Sequence, residues 1–243
     1  MAGTDRIAEY QPVARAALRM AWHDLLFAHW RWDANDIAAR LPPDLVPHTF
    51  AEHAWLGVVP FRMCAVAPAG IRLPAARASF LECNLRTYVR TRDGRTGVWF
   101  FTLDCNDALA VLAARAGFAL PYRFARMTCS PPDPAAPVSY TTTRPAGTCR
   151  FVYQRSGAWR SAGDDPFEQF LAERYRLFAW RSSLGQLLTA QVDHAPYHLA
   201  DADVTIDAAA IFRGNGFVPP TCPPDHVAVA DRVAVRGGLP RVA

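Results

Sequence analysis

Along most of the chain, apolar residues alternate with polar ones or gather in short runs rich in β-branched and aromatic side chains. Eleven such segments, bounded by turn-forming residues, predict strands at 23–32, 54–66, 80–91, 96–104, 122–129, 138–143, 149–154, 175–181, 187–192, 197–206 and 226–235. Helical signals occur in three places. Asp33 is placed to cap a helix over 34–41 that Pro42-Pro43 stops, and Asn106 to cap one over 107–116 that ends at Gly117. Asp165-Pro166-Phe167-Glu168 combines a capping box with proline at the first helical position and starts a helix running to about Arg174. Many strands and few short helices predict an α+β fold, predominantly antiparallel β, in which a large sheet curls into a closed or half-closed cone or barrel. The proline clusters at 130–134 and 219–224 are short and flanked by strand-like sequence, so they read as surface connections within one domain over 21–243. Residues 1–20 are expected to form an arm or short helix outside it.

The most informative segment is Arg92-Asp93-Gly94-Arg95, because Asp-Gly between two strand-like runs is the strongest short hairpin signal. A two-residue loop at Asp93-Gly94 places Tyr88 opposite Trp99, Arg86 opposite Phe101, Asn84 opposite Leu103 and Glu82 opposite Cys105. Glu82, Asn84, Arg86 and Tyr88 then share a face with large apolar partners, while the other face, with Leu85 and Val89 opposite Thr102 and Val98, is apolar too. A strand pair covered on both sides, with four polar groups along one of them, suits the wall of a ligand-binding barrel. The same pattern suits an internal hydrogen-bond network that only orders the core, and a three-residue loop would exchange the faces.

Composition narrows the function classes. With 243 residues, 51% apolar and 12% aromatic, the chain can build a sizeable core and is not a disordered or collagen-like polymer. The longest weakly charged stretch, 107–122, contains Arg115 and falls short of the roughly 20 apolar residues a bilayer requires, so no membrane partner is expected. All 26 basic residues are arginine, which removes Schiff-base, P-loop-lysine and lysine general-base chemistry. The net charge is only +4 and the arginines are spread from Arg6 to Arg241, unlike a nucleic-acid footprint. The six cysteines form no CxxC pair and no dense framework, the first ten residues lack an apolar secretory core, and a reducing cytoplasmic location is expected. His194 and His198 have a spacing that can serve a metal, but Pro196 opposes a helix there and only Asp193 stands near as a third ligand, so no metal is expected. No HExxH, G-x-S-x-G or G-x-G-x-x-G is present, and no cofactor is implied. Asp104 and Glu173 read as ion-pair or capping carboxylates, and His29, between aromatic neighbours, as a core histidine.

The chain resembles the YqjF-like family, a domain of unknown function grouped with the acetoacetate decarboxylase-like superfamily. The likeness rests on Leu25-Leu26-Phe27-Ala28-His29-Trp30, on Ala54 to Met63, on Glu82-Cys83-Asn84-Leu85-Arg86-Thr87-Tyr88-Val89, on Gly97 to Asp104, on Leu120-Pro121-Tyr122-Arg123 to Met127, and on Val192-Asp193-His194-Ala195-Pro196-Tyr197. The resemblance implies a single β-rich domain around an interior pocket, often self-associating into a homo-oligomer. In the decarboxylase branch a glycine-phenylalanine-proline-lysine-lysine stretch supplies the imine-forming lysine and its neighbour. The similar stretch here is Gly117-Phe118, two extra residues, then Pro121-Tyr122-Arg123, so the resemblance puts Tyr122 and Arg123 at the lysine positions and Glu82 at that of a pocket glutamate.

Two functions are expected. In the first, the barrel binds a small carboxylate or oxo acid, with Arg86 and Arg123 on the carboxylate, Asn84, Tyr88, Trp99 and Phe101 lining the site, and Glu82 and Tyr122 handling protons. Whether a lyase, hydratase or isomerase step follows is left open. In the second, the fold survives as a non-catalytic interaction or sensor module, which a pocket filled by side chains would favour.

Overall fold

The computed structural model describes residues 13, 15–71, 79–133 and 136–243. The chain enters through strands β1 (Leu18–His23) and β2 (Leu25–Trp32), helix α1 (Ala34–Ala38), the short β3 (Leu45–Pro47) and the long β4 (Ala54–Pro68). The hairpin β5 (Phe80–Thr91) and β6 (Thr96–Cys105) leads into α2 (Ala108–Phe118) and β7 (Tyr122–Phe124). Strands β8 (Arg126–Cys129), β9 (Val138–Arg144), β10 (Gly147–Arg155) and β11 (Arg160–Ser161) precede α3 (Pro166–Ala172). There follow β12 (Arg176–Arg181), β13 (Gln186–His194), β14 (His198–Ala200), β15 (Ala202–Asp207), α4 (Ala209–Arg213), β16 (His226–Ala230), β17 (Val233–Gly237) and β18 (Arg241–Val242).

Seven strands close on themselves in the order β4-β1-β17-β13-β12-β6-β5, and pairing of β4 with β5 completes the barrel. Every junction in the ring is antiparallel except β12–β6, which is parallel. Gly97 permits that junction, because a Cβ there would stand 2.8 Å from the Arg176 carbonyl oxygen. The strands β2, β16, β14 and β11 continue the sheet beyond β4, and a second sheet, β15-β10-β9-β8, packs on the outside. β4 reads as an almost unbroken apolar run because both its faces are covered. Leu56 and Val58 join Leu85, Tyr140 and Phe151 in the core between the two sheets, whereas Val59, Phe61 and Met63 belong to a separate cluster with Phe27 and Tyr197.

The predicted antiparallel, curled fold is the one observed, with corrections in detail. Residues 18–20 belong to barrel strand β1 rather than to an outer arm; the rest of that predicted arm, apart from Val13 and 15–17, lies outside the described residues. The predicted strand 23–32 breaks at Asp24, whose φ of 52° turns the chain between β1 and β2. α2 is capped by Asp107, which accepts from the Ala110 amide, while Asn106 accepts from the Leu81 amide across the hairpin. The helix runs past Gly117 to a left-handed Ala119. Asp165 caps α3 as expected, but Glu168 pairs with Arg160 instead of closing a capping box. α4 went unpredicted, and its N-cap Ala208 offers no side-chain signal.

Candidate functional site

The site begins with the hairpin. The Thr91 amide donates to the Arg95 carbonyl at 3.0 Å and the Gly94 amide to the Thr91 carbonyl at 3.0 Å, with Gly94 at φ 92°. The loop therefore has three residues, a turn followed by a left-handed glycine, and next to it the register is one residue off that predicted. Tyr88 pairs with Val98, Thr87 with Trp99 and Arg86 with Phe100. Between Leu85 and Arg86 the register shifts, leaving Phe101 as an extra residue, and beyond this bulge Asn84 meets Leu103 and Glu82 meets Cys105 as the two-residue loop had implied. The longer loop and the bulge offset each other. Glu82, Asn84, Arg86 and Tyr88 thus share the barrel's inner face, with Val98, Phe100 and Leu103 as neighbours.

Inside the barrel lies a cavity of about 300 Å3, open at one side. Glu82, Asn84 and Arg86 line it from β5 and Phe100 and Leu103 from β6, with Tyr122 from β7 completing the polar end. Tyr122 donates to Glu82 Oε2 at 2.5 Å, and Asn84 Nδ2 approaches Glu82 Oε1 at 3.4 Å. Burial pushes the Glu82 carboxyl up to about 7, against the lowering effect of the Tyr122 and Asn84 hydrogen bonds and of the Arg86 charge. Burial also pushes the Tyr122 phenol well up, so at neutral pH it is a donor. Arg86 carries its charge beside this pair without an ion-pair partner among the described residues: its Nε and Nη2 are buried with no hydrogen bond there, and its guanidinium sits over the Phe27 ring at 5.1 Å. Asn84 Oδ1 is also buried and unbonded.

Four of the expected site residues, Glu82, Asn84, Arg86 and Tyr122, meet at the cavity. The other four do not. Tyr88 lies on the same face but does not line the cavity: it donates to the Leu171 carbonyl at 2.6 Å, stands 2.7 Å from His29 Nε2 and takes a side-chain hydrogen bond from Arg86. Trp99 and Phe101 fall on the opposite face because of the longer loop and the bulge; Trp99 packs with Val89 and Phe178, and Phe101 meets Phe217 edge-on at 4.9 Å. Arg123, the residue after Tyr122 on an alternating strand, points outward and is exposed. His29 is a core histidine, fully buried and 3.1 Å from His226, nitrogen to nitrogen. His194 is buried between Tyr175 and Tyr197 whereas His198 is exposed, and no group of three metal-ligating side chains occurs among the described residues.

Sequence reasoning missed Arg174 and Arg176, which bring two further guanidinium groups to the cavity wall. Arg174 donates to the Phe170 carbonyl at 2.6 Å and stacks on the Phe170 and Tyr88 rings. Both follow α3 and reach the site through the parallel β12–β6 junction, a long-range pairing with no local signature. Phe100 was legible in principle, since a three-residue loop ending in glycine is the next most common hairpin.

The sequence profile of a family described as "Uncharacterized conserved protein" matches residues 19–234. "Uncharacterized protein YqjF" of Bacillus subtilis (strain 168) is 33% identical over 211 residues, covering 85% of each chain. Among solved structures, an acetoacetate decarboxylase-like enzyme from Sphingomonas wittichii RW1 superposes with a TM-score of 0.65 at 16% identity, over 97% of this chain and 98% of that one. The enduracididine biosynthesis enzyme MppR, complexed with pyruvate, gives a TM-score of 0.65 at 13% identity, over 97% and 93%. At such identities the likeness establishes the fold.

Proposed function

The chain belongs to the family of uncharacterised conserved proteins that matches residues 19–234, and on that premise we propose that its barrel binds an organic monocarboxylate, with an oxo acid as the preferred class. One observation carries this reading: Arg86 stands on the wall of an open cavity near Glu82 but in salt-bridge contact with no carboxylate among the described residues, and its Nε and Nη2 have no hydrogen-bond partner there. A charge held that way is costly unless a ligand compensates it, and a guanidinium grips a carboxylate through two parallel hydrogen bonds. Arg174 and Arg176 line the same cavity as Arg86 and add cationic side chains to its wall. MppR, whose fold is similar, was solved with pyruvate, which supports the same ligand class.

Glu82 and Tyr122 supply the means to move a proton on the bound acid. A carboxyl that titrates near 7 can accept or donate, and the phenol hydrogen-bonded to it steadies either state. The chemistry is not that of an imine, because the sequence has no lysine to form one. A pocket filled by side chains would have favoured the non-catalytic alternative; the open cavity supports the binding reading instead.

Titration calorimetry with 2-oxo acids and simple monocarboxylates tests the reading. Wild-type protein should bind members of the series, and Arg86→Met should weaken them at least tenfold while keeping the fold. Equal binding by Arg86→Met, or no binding by wild type across the series, overturns it. Loss of C3–H exchange into deuterium oxide for a bound oxo acid in Glu82→Gln would identify the proton-handling group.

A further inference from the structure

The cavity is far larger than its polar end. At roughly 30 Å3 per water, 300 Å3 holds about ten waters or a similar number of non-hydrogen atoms, whereas a pyruvate-sized acid would leave much of it empty. Beyond its polar groups the wall is largely apolar, with Met20 and Val66 from the barrel, Phe80, and Ala110, Ala114 and Phe118 of α2, which pack in one cluster with the Tyr122 ring.

The composition of α2 shows how that space is kept. A surface helix ordinarily turns its large apolar residues inward. α2 turns alanines toward the cavity at Ala110 and Ala114, while Leu109 and Leu112 point to solvent at 77% and 66% exposure. Inward leucines on this helix would occupy the void; inward alanines preserve it. Building on the reading of Arg86 as the carboxylate site, we propose that the ligand is an amphipathic monocarboxylate, with its head on Arg86 and an unbranched or aromatic body of about six to eight carbons lying against α2.

Each buried methylene should tighten binding about threefold to fourfold. Wild-type protein titrated with linear monocarboxylates below their micelle concentrations should therefore gain roughly a hundredfold from butyrate to octanoate, and then level off when the cavity is full. Octanol should bind far more weakly than octanoate. Ala114→Phe, which fills the apolar end, should remove most of the octanoate affinity and leave butyrate nearly unchanged; circular dichroism checks that it folds, and the wild-type length series stands without it. Arg86-dependent binding that is flat with chain length overturns this inference alone and leaves the carboxylate site intact. Failure of every length to bind, or indifference to Arg86→Met, brings down the carboxylate reading and this inference with it.

Discussion

The two faces of the β5–β6 hairpin carry one buried carboxyl each, and they treat it in opposite ways. On the outer face Asp104 receives Arg144 Nη1 at 2.8 Å, the Thr102 hydroxyl at 3.2 Å and the Thr142 hydroxyl at 3.3 Å. The space next to it is only about 10 Å3, too little for more than one water. On the inner face Glu82 has the Tyr122 hydroxyl and one long contact from Asn84, and the neighbouring arginine pairs with no carboxylate. Burial raises both carboxyls above their ordinary values, but Arg144 opposes the rise at Asp104 by direct contact. The outer face is a completed network between two sheets and the inner face is an incomplete one beside a void. In a single strand pair, satisfied hydrogen-bonding capacity marks the structural side, and unspent capacity marks the side to which the proposed carboxylate is assigned.

Substituting into the outer face should give the largest effect. Leu85 is fully buried against Tyr140 and Phe151, so Leu85→Asp places a charge where nothing can compensate it and should remove more than about 5 kcal/mol, enough to prevent folding. Circular dichroism and solubility report it directly. A folded, soluble Leu85→Asp protein would mean that this face is not packed as described.

Exchanging each arginine for methionine compares the faces on equal terms. Arg144→Met strands Asp104 in the core and should cost about 3 kcal/mol in urea unfolding. Arg86→Met breaks no ion pair and should change stability by less than about 1 kcal/mol in either direction. Similar losses from the two variants would erase the distinction between a spent and an unspent guanidinium.

Much of this arrangement was legible from residues alone. Alternation along 80–91 put Glu82, Asn84 and Arg86 on one face, and the doubly apolar hairpin announced that neither side meets solvent. Trp99 and Phe101 were misassigned because register depends on loop length and on a bulge, and neither has a propensity signature strong enough to separate one residue from the next. Arg174 and Arg176 could not be found because their place on the wall depends on barrel closure between strands some eighty residues apart, which no local pattern encodes. The cap of α2 moved by one residue for a physical reason: Asn106 serves the Leu81 amide, which leaves Asp107 to the helix.

The Glu82 effect is spread over pH, and pH isolates it. Burial pushes the carboxyl up to about 7 in the folded chain, above the ordinary value of 4.5, so the folded state holds the proton more tightly than the unfolded one. Its contribution is therefore fully present below about pH 4.5, declines as the unfolded chain ionises between 4.5 and 7, and is flat above 7, a fall of up to about 3 kcal/mol. His29 and His194, both lowered by burial, act with the opposite sign as pH drops below 6.5, so the raw wild-type profile mixes the terms. Subtracting the profile of Glu82→Gln, which keeps the histidines, leaves the Glu82 contribution alone. The difference curve should slope only between pH 4.5 and 7. A saturating carboxylate on Arg86 should move its upper limit to higher pH, because a second negative charge disfavours ionising Glu82. A flat difference curve would mean that folding leaves the proton affinity of Glu82 unchanged, and that the inner face compensates its buried carboxyl fully.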